Sequence, residues 1–403
     1  MVAYESLLKN SRVWWWMVAT VGTRLAVCTI SLGVVFAAKS ATGSYAWGAV
    51  IADAYAGGEA IGAPMGARFQ RRPLRKELAW VALTEAIALV GVVVTLSLGA
   101  PLAAAVLAAL AGGVASGTFG GLRTLVVGLV PESRENTLAL DVIMNQLCQI
   151  AGPALAASAA VAWSPDAPLL IVCGGLVVVA AVTVKLPESV MGAADSGNTV
   201  QPEPRRTSTL AVVRVIGPSL AVSTVVLTLH AVLEVTPPSV LGQRHGPPAW
   251  AGIALSGLAV TSVAGSFLYG LRRWFGRPHT HTLIFAGGFS LMVTVVGVVW
   301  SPVVTVVLVA ACGLFQAAAS TARSLTVTDV LPADDWSVGF SLLYSFGAVG
   351  FTGASAVSAL FLAAGSAEVL LIVFGPVGIV IFALTWWWER TTEAREANQA
   401  TVL

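Results

Sequence analysis

Charge is what this sequence has least of. Asp, Glu, Lys and Arg make up 10% of its 403 residues, against about 25% in an ordinary soluble domain. Apolar runs of about 20 residues recur along the whole length, and a run of that size spans a bilayer as a helix. A soluble core would need amphipathic helices with a polar outer face, and these runs have none. The class implied is an all-α polytopic membrane protein. Histidine is scarce too, with 4 residues that are scattered. The four cysteines, Cys28, Cys148, Cys173 and Cys312, all sit inside apolar runs without metal spacing. They read as small packing residues rather than disulfides. A phosphate-binding Gly-Lys-Ser/Thr loop is missing, which argues against an ATP-driven pump. No catalytic constellation, metal cluster or cofactor motif is found, so neither an enzyme nor a cofactor is expected. No basic stripe with interleaved aromatics points to nucleic acid.

Hydropathy places twelve spans near 13–38, 46–67, 78–98, 102–130, 138–161, 168–186, 212–235, 249–271, 281–300, 302–328, 338–363 and 368–388. The run from Val13 to Ala38 is too long for the apolar core of a cleavable signal and reads as the first span. Of the 22 basic residues, Lys39 and Arg244 fall in outer loops if the N-terminus is inside. Arg24, Arg123 and Arg323 lie within spans, and all the others are cytoplasmic. This bias predicts that both termini are cytoplasmic. The triplets Trp14–Trp16 and Trp386–Trp388 fall at the same predicted interface, where indoles anchor helices.

The chain repeats itself with an offset near 200. "AWGAVIADAYAGGEAIGAPMGARFQRRP" at 46–73 parallels "AWAGIALSGLAVTSVAGSFLYGLRRWFGRP" at 249–278, with Gly62 opposite Gly265. "LRTLVVGLVP" at 122–131 parallels "ARSLTVTDVLP" at 322–332, and Gly152 aligns with Gly353. The reading is two six-helix, pseudo-symmetric bundles, 1–186 and 212–390. A polar linker at 187–211 joins them and a tail follows at 391–403. A parallel-repeat transporter is built this way.

With these features the chain resembles the major facilitator superfamily over essentially its whole length. The loop "GARFQRRPLRK" is similar to that superfamily's basic loop signature, with Arg68, Arg71 and Arg72 at its basic positions. Ala67 stands where the signature has Asp, and Gln70 where it has its second Gly. "LPES" at 186–189 resembles another recurrent signature, and "AGPALAA" at 151–157 the core of the fifth-helix antiporter motif. "GTRLAV" and "TGSYAWGAVIADAYA" are similar to actinobacterial-type members described as efflux proteins. The resemblance implies the twelve-helix fold, a plasma-membrane location and alternating access.

Ionisable residues inside spans are functional candidates, because burying a charge in hydrocarbon is costly. Depth along each span sets the expected partners. Arg24 and Asp53 both come out roughly 20 Å from the inner ends of their helices, which predicts an Arg24–Asp53 pair unless each faces water separately. Glu59 and Arg123 both come out near 10–12 Å, which predicts a second pair. Arg323 repeats Arg123, and an Asp141–Arg323 contact across the two halves would close the cytoplasmic side. Alternatively, Arg323 bonds helix carbonyls or Asp329. Asp141, Asn145, Gln149 and Gly152 share one face of the fifth span. That stripe lines a cavity or bonds between helices. His230 and Glu234, four residues apart, bind a cation, relay a proton, or mark a hydrated helix end. Glu85, in a span that is peripheral in this fold, reads as structural, protonated or paired. Gly58, Gly62 and Gly66 let another helix approach closely.

The leading function is a secondary transporter exporting amphipathic small molecules, such as drugs or natural products, in exchange for protons. Asp53, Glu59 and Glu234 are the coupling carboxylates in order of preference, with Arg24 and His230 beside them. Arg123, Arg323, Asp141, Arg68, Arg71 and Arg72 form a cytoplasmic gate or charge network. Asn145, Gln149 and Gln316 line the substrate cavity. With Gln146 they are nearly the whole amide supply, which disfavours a sugar site. The expected partners are a small-molecule substrate, protons and the lipid bilayer, and the expected working unit is a monomer. Import or uniport of a polar solute or organic anion, and lipid flipping, are the alternatives.

Overall fold

A computed structural model describes residues 10–62, 74–186, 208–247, 249–272, 274, 276–363 and 366–402. The loop arginines Arg68, Arg71 and Arg72, Gly66, and most of the linker lie outside the described residues.

Helix starts and stops follow local chemistry. Helix α1 (Ser11–Thr42) is capped by Asn10, whose side chain accepts from the Arg12 N–H. It ends at Gly43, with φ of 72°. There the Gly43 N–H returns to the Lys39 carbonyl at 3.0 Å, as left-handed glycine caps do. Ser44 then caps α2 (Tyr45–Ile61) by accepting from the Ala46 N–H, so α1 and α2 form a tight antiparallel hairpin. Helix α3 (Leu74–Ser97) closes on Gly99, with φ of 74°. The Ala100 N–H bonds the Thr95 carbonyl and the Gly99 N–H bonds the Leu96 carbonyl, both at 2.9 Å. This paired cap is the Schellman arrangement. Pro101 opens the next helix, where a missing N–H costs nothing. The fourth span is therefore two pieces, α4 (Pro101–Ala115) and α5 (Thr118–Leu129), broken around Ser116–Gly117. A 3₁₀ turn at Pro131–Ser133 leads into α6 (Arg134–Ala162), followed by α7 (Ala167–Val182).

The second half runs α8 (Thr209–Val235), a short α9 (Pro237–Gln243), α10 (Ala249–Leu271), α11 (Pro278–Val298), α12 (Pro302–Val330), α13 (Trp336–Ala363) and α14 (Ala367–Val402). Eleven described helices are long and apolar enough to cross a membrane, from Ser11–Thr42 to Ala367–Trp388. The twelfth is α2, whose described part stops at Ile61, short of the expected end at residue 67. The protein is a multi-pass, all-helical membrane protein.

The chain forms two compact units, Met1–Val212 with Leu331–Ser345, and Val213–Val330 with Phe346–Leu403. The first part of α13, up to Ser345, clusters with the first unit.

Each unit repeats the same helix pairings internally. In the first, α2 packs on α4, α3 on α4 and α7, and α1 on α6. In the second, α10 packs on α12, and α11 on α12 and α14. Small residues set the tightest crossings. A Cβ built on Gly112 would lie 2.0 Å from the Tyr55 carbonyl oxygen, and one on Gly58 2.0 Å from that of Ala109. The counterpart in the second unit is Gly313, whose Cβ would lie 2.2 Å from the Leu258 carbonyl oxygen. Backbones this close admit no side chain. The expected equivalence of Gly152 and Gly353 is corrected. Gly152 abuts Cys28 of α1, whereas Gly353 has open space, and Gly350 is the residue pressed against Thr224 of α8.

Candidate functional site

The first unit holds a buried ion cluster centred on Asp141. The Arg24 Nη2 lies 2.6 Å from Asp141 Oδ1, and its Nη1 donates to the Asp141 backbone carbonyl at 3.0 Å. The other carboxylate oxygen accepts from Arg123, Nε at 2.7 Å and Nη2 at 2.5 Å. Asp141 is fully buried, Arg24 is 3% exposed and the Arg123 side chain 17%. Two guanidiniums share one carboxylate. Aromatic faces complete the shell. Phe119 lies 5.5 Å from the Arg24 guanidinium carbon and Phe340 lies 5.4 Å from that of Arg123, within cation–π range. Trp16 is completely buried and donates its indole N–H to the Leu122 carbonyl at 2.7 Å, fixing α1 against α5 beside Arg123. It is thus a packing residue, while Trp14, Trp15 and Trp386–Trp388 are exposed as interface anchors are.

Both expected pairings in this half are corrected. Arg24 binds Asp141 rather than Asp53, which is exposed on α2 and forms no ion pair among the described residues. Helical side chains lean toward their own N-terminus. Arg24 and Asp53 sit on antiparallel helices, so at equal depth they lean apart. Asp141 is on α6, which runs parallel to α1. That helix also begins at Arg134 rather than 138, placing Asp141 about one turn deeper than expected. The same shift brings it level with Arg123, which takes it in place of Glu59. Both carboxylate oxygens of Asp141 are thus engaged, one by Arg24 and the other by Arg123.

Glu59 belongs to a second buried cluster. Its carboxylate faces the Tyr344 hydroxyl at 3.4 and 3.5 Å, and its backbone carbonyl accepts from the Ser345 hydroxyl at 3.4 Å. The Tyr344 ring packs at 4.5 Å, tilted by 38°, against Phe119, the ring that covers Arg24. One turn before Glu59, the Tyr55 hydroxyl donates to Glu85 Oε1 of α3 at 2.8 Å. Glu59, Glu85 and Tyr55 are 4%, 3% and 3% exposed. Hydroxyls rather than cations hold these two carboxyls. Reading the sequence missed Tyr55, Tyr344 and Phe119. The spacing of Tyr55 from Glu59 was the one available signal, since residues four apart share a helix face.

The remaining candidates are dispersed. Asn145 is half-buried and Gln149 exposed on α6, whereas their neighbour Gln146 is buried. In the second unit Arg323 is 7% exposed on α12, and Gln316 is buried with an Oε1 that finds no partner among the described residues. His230 is buried beside Phe351, at 6.4 Å between rings, while Glu234 one turn later is exposed. No hydrogen bond joins His230 and Glu234 among the described residues. Neither do the described residues bring three metal-ligating side chains together.

No protein-family profile matches the sequence. No curated protein matches it significantly. Solved structures do match. The human organic anion transporter MFSD10 (TETRAN) aligns over 93% of this chain and 100% of its own, at 16% identity and a TM-score of 0.70. A bacterial homologue of the iron transporter ferroportin, in an outward-facing state, aligns over 92% and 98% at 14% identity, with a TM-score of 0.72. The proton:xylose symporter XylE, a major facilitator superfamily protein, aligns over 93% and 95% at 14% identity, with a TM-score of 0.70. The chain therefore has the major facilitator superfamily fold.

Proposed function

We propose that this protein is a secondary active transporter of the plasma membrane, exporting amphipathic small molecules in exchange for protons by alternating access. Both termini are then cytoplasmic, as the basic loops require. The observation that carries the reading is the set of ionisable side chains buried within the spans of the first unit. Such groups are expensive in a membrane and are kept where ions or protons move. Coupling needs a group whose proton affinity changes between states, because only differential affinity shifts a conformational equilibrium. Glu59 takes that role ahead of Asp53 and the Glu234–His230 pair. It is a buried carboxyl whose charge is not fixed by an ion pair, while Asp53 and Glu234 are exposed. Arg24, Asp141 and Arg123 form the permanent charge network, joined at the cytoplasmic side by Arg323 and the loop residues Arg68, Arg71 and Arg72. Asn145, Gln149 and Gln316 supply the sparse amides of the substrate path, and a monomer suffices.

One observation favours a second reading, transport of organic anions. The Asp141 cluster sets two guanidiniums on one carboxylate, and Arg123 is its most exposed member. The human neighbour named as an organic anion transporter is consistent with it. The test is dye movement into or out of proteoliposomes under an imposed pH gradient, with an amphipathic cation and an amphipathic anion compared. Gradient-driven movement that falls at least tenfold in Glu59→Gln is the expected result. Movement indifferent to the gradient in the unaltered protein would remove proton coupling, and selective movement of the anion would establish the second reading.

A further inference from the structure

Glu85 has no part in the function proposed above, yet it is as deeply buried as Glu59 and is held by a residue of the Glu59 face. Tyr55 and Glu59 stand four residues apart on α2, so their side chains are stacked along one face. The Tyr55 hydroxyl spans to α3 and donates to Glu85 at 2.8 Å. The backbone of α2 at these residues is held close against α4. Gly112 of α4 admits no side chain, because a Cβ built there would lie 2.0 Å from the Tyr55 carbonyl oxygen and 3.1 Å from the Glu59 nitrogen. The segment carrying both residues is thereby clamped. Two carboxyls, each with a hydroxyl partner and neither with a guanidinium, thus sit around one tyrosine.

We propose that Glu85 is a second proton-carrying carboxyl that acts with Glu59 as a coupled pair, with Tyr55 as the positioning residue between them. This rests on the proton-coupled reading and extends it to two proton-binding groups in one site. Two carboxyls that sense each other give up their protons in two linked steps belonging to the pair, not to either residue. The ionisable groups facing the pair are Tyr55 of α2, Tyr344 of α13 and Cys173 of α7. Beyond Tyr344 lie Arg24 and Cys28 of α1. None of them is a carboxyl. A merely structural Glu85 would keep one protonation state throughout, contributing a fixed hydrogen bond to Tyr55.

The experiment needs no substrate. The purified full chain in lipid nanodiscs is taken through an alkaline pH titration, with protons counted by an indicator dye and protonated carboxyls followed by their infrared carbonyl band. Glu85→Gln keeps an acceptor for Tyr55, so the fold is retained. It should release one proton fewer and lose one band component. Glu59→Gln should do the same, and the carboxyl left in either variant should titrate in a single step, with its midpoint displaced by about one pH unit. Tyr55→Phe should keep both protons but shift the carbonyl band of Glu85. An unchanged proton count in Glu85→Gln overturns the proposal. So does a Glu59 midpoint that ignores both Glu85→Gln and Tyr55→Phe. Absent dye transport with this coupling intact would sink the transport reading alone.

Discussion

The two units share a scaffold and differ in chemistry. Backbone-to-backbone crossings recur at Gly112 and Gly313, and α1 on α6 is matched by α8 on α13, where the Thr228 hydroxyl donates to the Gly350 carbonyl at 3.1 Å. Yet the first unit buries Arg24, Glu59, Glu85 and Asp141, whereas the described residues of the second include no buried carboxylate. Its buried polar groups are hydroxyls, Gln316, two histidines, Arg323 within α12, and Arg244 outside the spans. A repeat conserves what packing demands, because two helices at this separation tolerate only glycine whatever the protein does. Buried charge answers to no such demand and is free to concentrate in one half.

The largest expected effect comes from breaking the Asp141 cluster. Asp141→Ala would remove the carboxylate that both guanidiniums bond and leave Arg24 buried without it, a change that costs about 3–5 kcal/mol. Thermal unfolding in detergent should show the loss directly. Replacing all three charges at once, Arg24→Met with Asp141→Leu and Arg123→Met, should restore most of that stability while abolishing transport. If the triple variant is as unstable as Asp141→Ala, the cluster holds the fold together and the contrast between units is one of architecture. Recovery would locate its value in function.

The glycine crossings sharpen the comparison from the other side. Gly112→Ala and Gly313→Ala should each destabilise by about 1–3 kcal/mol, since the added methyl must push a backbone aside. Similar losses would confirm that the scaffold is equivalent in both units. Proton coupling should separate them. Gly112→Ala moves the segment bearing Tyr55 and Glu59, while Gly313→Ala presses on Leu258 and Ser262.

The spans were legible because hydropathy and helix stops such as Gly99–Pro101 depend on local composition. The repeat was legible as well, since Gly62 and Gly265 and the two arginine–proline segments keep their order. Partners were not. Depth along a helix is one coordinate, and pairing also needs the lean and the rotation of each side chain. Arg24 and Asp53 agree in depth and fail on lean. Asp141 failed on depth alone, because a polar first turn from Arg134 to Thr137 is helical without being apolar. The Glu85–Tyr55 contact joins residues 30 positions apart on two helices, and no spacing rule reaches across helices.

Arg244 gives the smallest effect and makes a charged tie within the second unit. It is a single basic residue in a predicted outer loop, yet it is 5% exposed. Its Nη1 donates to the Thr305 hydroxyl at 2.6 Å, its Nη2 to the Gly297 carbonyl at 3.0 Å, and its Nε to Glu368 at 3.3 Å. Burial draws its guanidinium below the usual range, and Glu368 offsets part of that. It therefore pins the end of α11 to the starts of α12 and α14. His245, at φ of 57°, turns the chain sharply after it, and the Gly246 N–H closes back on the Leu241 carbonyl at 2.8 Å. Arg244→Lys keeps the charge but loses the planar fork that reaches three acceptors. It should cost about 1 kcal/mol, the worth of a hydrogen bond or two. The thermal midpoint should fall slightly, with proton counts unchanged. A change in the proton count would mean that the second unit shares in coupling after all, and the division of labour between the halves would not stand.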